Sequence, residues 1–475
     1  MSDEELEREA DAYVDEVWED VVADIRTLVR IPSVRDREGA KPGMPWGKAS
    51  HDALVAALGI ASRLGLDAHE CEGYIGYADL KGASDTQIAT IAHTDVVPEG
   101  LGWTVDPFDV TRREGYLLGR GVLDDKGPFV LSLYAANFFR RKVEATGKPL
   151  PYTLRCLVGN EEECEMGDLK WYLKHYPEPA FCFTPDADFP LICGEKGVFH
   201  GHFTTGRLAD EPGARIVSLD AGTVANAIPG QAEAVVRAGA GELKPREGVE
   251  VEEKGDGTCL VRTHGIGGHA SLPAGTRNAI GMLADYLLDN GVCNEPERSF
   301  LSLEHLLCAA STDGSSLGIA SADEKFGPLT CIGGTVRTVD GGFVQTMDAR
   351  YPTSITDGQI EEALSRLAAE HGCTFGVDGV KVPFYIDPSS APIKTLLDTY
   401  AEYSGQPAEA QVIGGGTYAR NFTCACAFGA NDPTAKLPSW VGPEHGPDEG
   451  IAEDTLKQAL RIYIVSIARL MRLKF

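Results

Sequence analysis

Histidine and acidic side chains recur in this sequence where apolar stretches end. They are His93, Asp95, Asp124, Asp125, the run Glu161-Glu162-Glu163, Asp186 and His445. A mixed set of imidazole and carboxylate groups suits zinc or a similar divalent ion. A pair of such ions, about 3.5 Å apart, needs a bridging carboxylate, terminal ligands on each ion and a free glutamate as a base. The set supplies each of these groups, so it predicts metal-assisted chemistry.

Most members of this set also have a simpler interpretation. An isolated histidine such as His93 is often a hydrogen-bonded core residue. Asp124 and Asp125 precede a predicted helix and could form its N-cap, and Asp186 could belong to an ordinary turn. The run at 161–163 could be a solvated loop, but three acids beside a buried strand repel one another unless a cation compensates them. The metal hypothesis therefore depends on the set as a whole.

The elements around these residues predict an α/β fold. Helical periodicity covers residues 6–30, 51–66, 127–142, 391–403 and 450–473. Short apolar strands such as TQIATIAH, TLRCLVG and FCFT alternate with the earlier helices. This alternation indicates a mixed, largely parallel sheet with flanking helices. Ligands bind beyond the carboxyl ends of strands in such sheets, which is where the acids fall.

The sequence pattern changes near residue 190 and changes back near residue 385. Residues 191–384 are richer in short strands, Gly-containing turns and exposed charge, as in GVEVEEKGDGTCLVRTHG. A length of 475 residues suits two or three domains. We therefore predict a discontinuous α/β domain formed by residues 1–190 and 385–475, with an α+β domain formed by residues 191–384 inserted into it.

Charge and hydropathy argue against several functional classes. Asp and Glu number 71 against 43 Lys and Arg, a formal net charge of −28, which repels nucleic-acid phosphates and anionic lipids. We see no apolar run of about 18 residues and no signal peptide. The 12 cysteines are scattered, and Cys424 and Cys426 are the only tight pair. We expect reduced thiols in a cytoplasmic protein that binds neither nucleic acid nor membranes.

The motifs in their order resemble the co-catalytic zinc peptidases, the family of glutamate carboxypeptidases, aminoacylases and bacterial dipeptidases. The resemblance runs from DIRTLVRIPSV to His445 and is closest to the PepV-type dipeptidases in PDADFP, GEKG, GHAS, DARYP and GGGTYAR. It implies a zinc-peptidase-like catalytic domain with an inserted lid, a small peptide substrate and two divalent ions. Zn2+ is expected first, although Mn2+ or Co2+ also suits such ligands. The enlarged lid of that branch implies a monomer.

The resemblance assigns roles at the metals. The implied ligands are His93, Asp124, Glu163, Asp186 and His445. Asp124 would bridge the ions through a segment whose Asp124–Asp125 bond is cis in the family. Asp95, two residues from His93 on an extended segment, would orient the imidazole ring.

The resemblance also implies a catalytic glutamate in the triple-Glu run. Glu162 would be the general base that takes a proton from a metal-bridging water as this water attacks the scissile carbonyl. The register stays open, because the run permits a slip of one residue. Cys164 departs from the commoner Ser or Thr at its position.

Further roles are implied for the inserted domain and for a later glycine-rich loop. His269 would stabilise the oxyanion, and Arg350 would grip the terminal carboxylate of the substrate. The implied substrate-binding residues are Asn226, Arg350, Gly414, Gly415, Gly416 and Thr417. As alternatives, Arg350 could form a surface ion pair and His269 could be a turn residue.

The predicted function is metal-dependent hydrolysis of dipeptides or very short peptides. One alternative is an N-acyl-amino-acid deacylase or a carboxypeptidase of the same family. Another is a non-catalytic metal-binding scaffold, which a lost base or ligand would indicate, and the sequence retains all of them.

Overall fold

The computed structural model describes residues 3–475, which form two compact units. Unit 1 comprises the described residues through Cys193, together with Tyr385–Gln411 and Gly416–Phe475. Unit 2 comprises Gly194–Phe384 and Val412–Gly415. The assignment of a catalytic role to one part of the chain and a lid role to the other stays a prediction.

The helices lie in both units and are numbered here in chain order. They are α1 (Asp3–Val29), α2 (Lys48–Arg63), α3 (Lys126–Thr146), α4 (Gly167–His175), α5 (Ala279–Asp289), α6 (Glu295–His305), α7 (Asp357–Glu370), α8 (Ala391–Ser404) and α9 (Glu453–Leu470).

The strands are numbered in the same way. They are β1 (Asp67–Cys71), β2 (Ile75–Leu80), β3 (Gln87–His93), β4 (Thr111–Arg113), β5 (Tyr116–Leu118), β6 (Thr153–Gly159), β7 (Phe181–Thr184), β8 (Ile192–Glu195), β9 (Gly197–Thr205), β10 (Ile216–Ala221), β11 (Ala227–Ile228), β12 (Gln231–Val236), β13 (Val249–Glu253), β14 (Cys259–His264), β15 (Gly268–His269), β16 (Ala322–Asp323), β17 (Gly327–Pro328), β18 (Thr330–Val339), β19 (Gly342–Tyr351), β20 (Cys373–Lys381), β21 (Phe384–Tyr385), β22 (Gln411–Ile413), β23 (Ala425–Ala427) and β24 (Gly450–Ala452).

The main sheet of unit 1 is largely parallel, so the predicted α/β fold class is confirmed. Its strands follow the order β1-β2-β6-β3-β7-β23. The four strands β6, β3, β7 and β23 run parallel, and the antiparallel strands β1 and β2 extend one side. Every residue of β6 is buried, which fits a central strand covered on both faces. The carboxyl ends of the parallel strands meet at one edge.

The helices of unit 1 cover this sheet through apolar faces. Leu54 and Leu58 of α2 lie against Gly76 of β2, so closely that a Cβ atom at Gly76 would come within 3.0 Å of both leucines. A glycine at this point lets helix and strand pack closely. Tyr13 of α1 donates to the carbonyl of Tyr134 in α3, which fixes the two helices against each other at 2.9 Å.

Unit 2 is built on an antiparallel sheet with the order β13-β14-β12-β10-β18-β19-β9-β20. Residues 340 and 341 make the two-residue turn between β18 and β19, with φ of 48° at Asp340 and 78° at Gly341. Positive φ values at both residues are typical of two-residue hairpin turns, because they match the twist of the flanking strands. One face of the sheet packs with α5, α6 and α7 into a single apolar core that contains Phe199, Phe203 and Met347.

Several element boundaries differ from the predicted ones. The last helix begins at Glu453 instead of residue 450, because residues 450–452 form β24 and pair with β5. The second helix ends at Arg63, since Gly65 adopts a φ of 81° that a helix does not continue through. All 12 cysteines are free thiols, as expected, although Cys164 is exposed. Within residues 3–475, no helix combines the length and apolar character needed to cross a membrane.

The contact between α2 and β2 gives a stability prediction. Leu54→Ala should lower the free energy of unfolding by about 2–5 kcal/mol, because Leu54 is fully buried and its truncation leaves a cavity. Its neighbour Val55 is 46% exposed, so Val55→Ala should change stability by only about 0.5 kcal/mol. Urea-unfolding midpoints of the two variants and the wild type provide the measurement. Equal shifts in the two variants would contradict this packing.

Candidate active site

The carboxyl edge of the parallel strands gathers the predicted metal-site residues of unit 1. His93 is the last residue of β3, and it pairs in register with Gly159, the last residue of β6. The triple-Glu run begins two residues after β6, and Asp186 follows β7 by two residues. Neighbouring parallel strands end side by side, so loops that are distant in sequence converge at this edge.

His93 lies at the centre of this convergence and is completely buried. Its Nε2 atom is 3.0 Å from Oδ1 of Asp124 and 3.7 Å from Oδ2 of Asp186. Its Nδ1 atom is 3.0 Å from the backbone oxygen of Asp95 and 3.4 Å from the Asp95 carboxylate. Asp95 therefore contacts the ring on the side away from Asp124.

The second histidine meets the other oxygen of Asp124. His445 Nε2 is 2.8 Å from Oδ2 of Asp124 and 3.2 Å from Oε1 of Glu163. Each oxygen of the Asp124 carboxylate thus contacts a different imidazole, so the carboxylate lies between two groups of side chains. The peptide bond from Asp124 to Asp125 is cis.

Two overlapping groups of side chains in this site could hold a metal ion. One comprises His93, Asp124 and Glu163, and the other comprises His93, Asp125 and Asp186, with ligand atoms within 4.8 Å of one another in each group. Asp125 was not among the predicted ligands. Its Oδ2 atom accepts a hydrogen bond from the backbone amide of His93 at 3.0 Å, and its Oδ1 atom has no hydrogen-bond partner among the described residues.

The three consecutive glutamates have three different environments. Glu161 forms an ion pair with Arg35 and accepts a hydrogen bond from the backbone of Gly167 at 2.7 Å. Glu163 contacts His445, as described above. Glu162 is 8% exposed, and its Oε1 atom has no hydrogen-bond partner within residues 3–475. The run is therefore not a solvated loop.

Asp95 has a second contact that the sequence did not reveal. Its Oδ1 atom accepts from the backbone amide of Glu162 at 3.1 Å, and its Oδ2 atom accepts from that of Glu163 at 3.2 Å. One carboxylate thus fixes both the loop that carries the glutamates and the strand end that carries His93. Charge-assisted hydrogen bonds of this kind are among the stronger ones in proteins.

The electrostatics of the site reflect acids buried together. Burial raises the pKa of Glu162 and of Asp186 well above the usual range, and neighbouring carboxylates raise them further. Burial also opposes ionisation of Asp124, but hydrogen bonds from His445 and His93 outweigh this effect and lower its pKa. Burial opposes the charged form of His445, but its hydrogen bonds with Asp124 and Glu163 outweigh this effect and raise its pKa to about 11. Asp124, whose two oxygens each contact an imidazole, thus differs in the direction of its pKa shift from Glu162 and Asp186.

A buried ion pair supports the loop that carries Asp124. Glu449 Oε2 accepts from Arg120 Nη1 at 2.6 Å. Glu449 Oε1 accepts from the backbone amides of Gly121, Leu123 and Asp124 at 3.0, 3.1 and 3.2 Å. Both side chains are almost completely buried. Sequence reasoning assigned no role to this pair, and the only available signal was proximity, since Arg120 lies four residues before Asp124 and Glu449 four residues after His445.

The predicted lid residues form a separate group within unit 2. Asn226 precedes β11 and accepts from the backbone of Ala270 at 2.9 Å, and His269 lies on the paired strand β15. The His269 ring contacts the hydroxyl of Ser271 at 2.7 Å. Gly414 packs against Ser271 as well, since a Cβ at Gly414 would come within 2.5 Å of the Ser271 Cβ.

Arg350 is connected to the same group. Its Nη1 atom donates to the backbone oxygen of Gly414 at 2.8 Å, and its Nε and Nη2 atoms donate to Asp348 at 2.7 and 2.8 Å. Arg350 is 6% exposed, so the alternative of a surface ion pair does not describe it. Gly415 belongs to unit 2, whereas Gly416 and Thr417 belong to unit 1.

Comparisons with known proteins identify a peptidase family. The family model described as Peptidase family M20/M25/M40 matches residues 89–469. A protein of Bacillus subtilis (strain 168) described as "Putative dipeptidase YtjP" is 31% identical over 468 residues, covering 96% of this chain and 98% of that protein. The "Beta-Ala-Xaa dipeptidase" of Lactobacillus delbrueckii subsp. lactis is also 31% identical over 468 residues, covering 95% and 96%.

A solved structure shares the fold. The crystal structure of human carnosine dipeptidase 1 superimposes with a TM-score of 0.63 at 13% sequence identity, covering 98% of this chain and 99% of that chain. The resemblance to co-catalytic metallopeptidases is thus confirmed along almost the whole chain, and a requirement for divalent metal follows from the family together with the ligand groups around His93. The chain therefore belongs to Peptidase family M20/M25/M40 and is a metallopeptidase.

Proposed function

We propose that this metallopeptidase hydrolyses dipeptides or very short peptides at the carboxyl edge of the parallel strands in unit 1. The observation that carries the proposal is the Asp124 carboxylate, whose two oxygens contact His93 on one side and His445 on the other. The Bacillus and Lactobacillus relatives, both described as dipeptidases, align with nearly the whole chain, which supports a substrate of this size.

Two divalent ions would be held by side chains of unit 1. Asp124 would bridge them, with His93 and Asp186 at one ion and Glu163 and His445 at the other. Asp125 Oδ1 and Glu162 Oε1 are buried without a hydrogen-bond partner among the described residues, which is costly unless a cation or a bound water compensates them. The mixed nitrogen and oxygen donors suit Zn2+, with Mn2+ or Co2+ as alternatives.

We assign Glu162 as the general base and Glu163 as the ligand. The assignment rests on the different contacts of the three glutamates, since Glu161 is held by Arg35 and Glu163 by His445. Glu162 alone keeps a buried, unpartnered carboxylate oxygen. Its raised pKa, caused first by burial, suits a group that must accept a proton and then release it.

The chemistry can be divided between the ions and the protein. When bound, the divalent ions lower the pKa of a water molecule and polarise the scissile carbonyl. Glu162 accepts the proton of the attacking water and transfers it to the leaving amine. Asp95 holds the Glu162 and Glu163 backbone in place through its two hydrogen bonds. His269 would donate a hydrogen bond to the developing oxyanion.

We assign the substrate's terminal carboxylate to Arg350. A guanidinium has five N–H donors. Two bind Asp348 and one binds Gly414, so one N–H on Nη1 and one on Nη2 remain for a ligand. Asn226 and the backbone of residues 414–417 would complete the binding site.

We further propose that the protein is a cytoplasmic monomer, with residues 1–190 and 385–475 as the catalytic domain and 191–384 as the lid.

Metal dependence gives the first test. Chelation should abolish cleavage of free dipeptides, and readdition of Zn2+, Mn2+ or Co2+ singly should restore it. Asp124→Ala should bind less metal, measured by elemental analysis, and lose activity. Asp85→Ala, an exposed residue in the loop before β3, is the matched control and should bind metal normally. An Asp124→Ala enzyme that is fully loaded with metal and active would remove the bridging assignment.

Faster cleavage of N-acetyl amino acids than of dipeptides would indicate a deacylase instead of a dipeptidase.

The base assignment is tested by a pair of neighbouring variants. Glu162→Gln should lose roughly 10²- to 10⁴-fold in kcat, because the proton acceptor is removed, while it keeps its metal. Glu163→Gln should instead lose metal, because a ligand is weakened. Turnover and metal content of both variants decide the register. If Glu163→Gln keeps the metal and loses only turnover, the assignment is shifted by one residue.

The carboxylate assignment is tested with paired substrates. Arg350→Ala should lower kcat/KM for free dipeptides roughly 10- to 150-fold, because a charge-assisted hydrogen bond is worth about 1.5–3 kcal/mol. The loss should nearly vanish for dipeptide amides, which have no terminal carboxylate. Arg350→Lys keeps the positive charge but lacks the planar set of donors. Its kcat/KM for free dipeptides should lie between those of the wild type and Arg350→Ala. Equal losses on acids and amides would leave Arg350 a structural role.

A further inference from the structure

His200, Asp348 and Arg350 form a hydrogen-bonded triad in unit 2. Asp348 of β19 lies directly opposite His200 of β9 in the sheet register. Nε2 of His200 is 2.7 Å from Oδ2 of Asp348. Both oxygens of Asp348 also accept from Arg350, at 2.7 and 2.8 Å. Asp348 is therefore shared between a guanidinium and an imidazole.

The triad lies on the face of the sheet away from the apolar core. Side chains alternate along a strand, and Phe199, Met347 and Ala349 belong to the core of unit 2. Their neighbours His200 and Asp348 therefore face the opposite side. Asp348 is fully buried there, whereas the His200 side chain is 38% exposed and can exchange protons with solvent.

The charge of the triad depends on His200. Burial opposes ionisation of Asp348, but hydrogen bonds from His200 and Arg350 outweigh burial and lower its pKa, so it is an anion. Arg350 and Asp348 alone then form a pair without net charge. Such a pair attracts a substrate carboxylate only weakly, since the attraction of the guanidinium is opposed by the nearby aspartate.

We propose that His200 sets the strength with which Arg350 binds a substrate carboxylate, by adding a second positive charge to the triad when its imidazole is protonated. The proposal rests on the proposed function, in which Arg350 binds the terminal carboxylate. With a protonated His200 the triad carries a net charge of +1, and with a neutral His200 it carries none. His200 is a positioning residue, because it acts through Asp348 without touching the substrate.

Other titratable groups around His200 do not share this position. His202, the next residue on the same face of β9, is paired with Asp378 of β20 at 2.8 Å. Lys381 of β20 pairs with Val198 of β9, two residues before His200. Cys331 of β18 is a fully buried thiol whose pKa is raised by burial, so it stays neutral. His200 is thus the titratable partner of Asp348.

The experiment compares a free dipeptide with its amide. The ratio of their kcat/KM values cancels every pH effect that both substrates share, including those of the metals and of Glu162. The ratio is measured between about pH 5 and 8, the interval in which unperturbed imidazoles change charge. In the wild type the acid-to-amide ratio should fall about 2- to 5-fold across this range, through KM instead of kcat, because the charge of a half-exposed imidazole is screened by solvent.

Substitutions separate His200 from the rest of the site. His200→Gln should show the low ratio at every pH, and His200→Lys should show the high ratio at every pH. His202→Gln is the matched control and should behave as the wild type. An unchanged pH dependence in His200→Gln, or a constant ratio in the wild type, would overturn the proposal. If Arg350→Ala does not change the ratio, the carboxylate assignment itself fails, which is a distinct outcome.

Discussion

The main constraint on unit 1 is that several carboxylates lie close together and buried at the carboxyl edge of its parallel strands. Asp124, Glu162 and Asp186 repel one another there, and burial alone disfavours their charged forms. Two imidazoles meet the oxygens of Asp124. A divalent cation would compensate the buried oxygens of Asp125 and Glu162 that have no hydrogen-bond partner among the described residues. The parallel sheet makes this arrangement feasible, because its strand ends bring distant loops to one edge.

The supporting contacts repeat one device, which is a buried carboxylate bound to backbone amides. Asp95 holds the glutamate loop in this way, and Glu449 holds the loop before Asp124. In unit 2 a buried carboxylate binds a side chain instead of the backbone. Asp348 accepts two hydrogen bonds from Arg350 and so fixes the orientation of its guanidinium. In each unit an acidic side chain with no proposed role in catalysis or binding orients a residue that has one. Glu449 does this for Asp124, and Asp348 does it for Arg350.

Sequence reasoning predicted the α/β class and the residues at the strand ends, because hydrophobic periodicity is a local signal that shows where each apolar strand stops. It missed Asp125 as a possible ligand, since the position of that carboxylate depends on a backbone amide 32 residues earlier in the chain. It also missed the roles of Glu449 and His200. Glu449 contacts residues more than 300 positions away, and His200 meets Asp348 through a strand register that no periodicity reveals. Long-range contacts of this kind need the folded structure.

The buried ion pair between Glu449 and Arg120 joins segments that are synthesised at different times. A ribosome translates His445 and Glu449 only after the whole of unit 2 has been made. Until then the loop before Asp124 lacks the carboxylate that binds its amides, and Asp124 lacks one of its two imidazole neighbours. The loop that carries Asp124 therefore reaches its final set of contacts only after residues 445–449 have been translated.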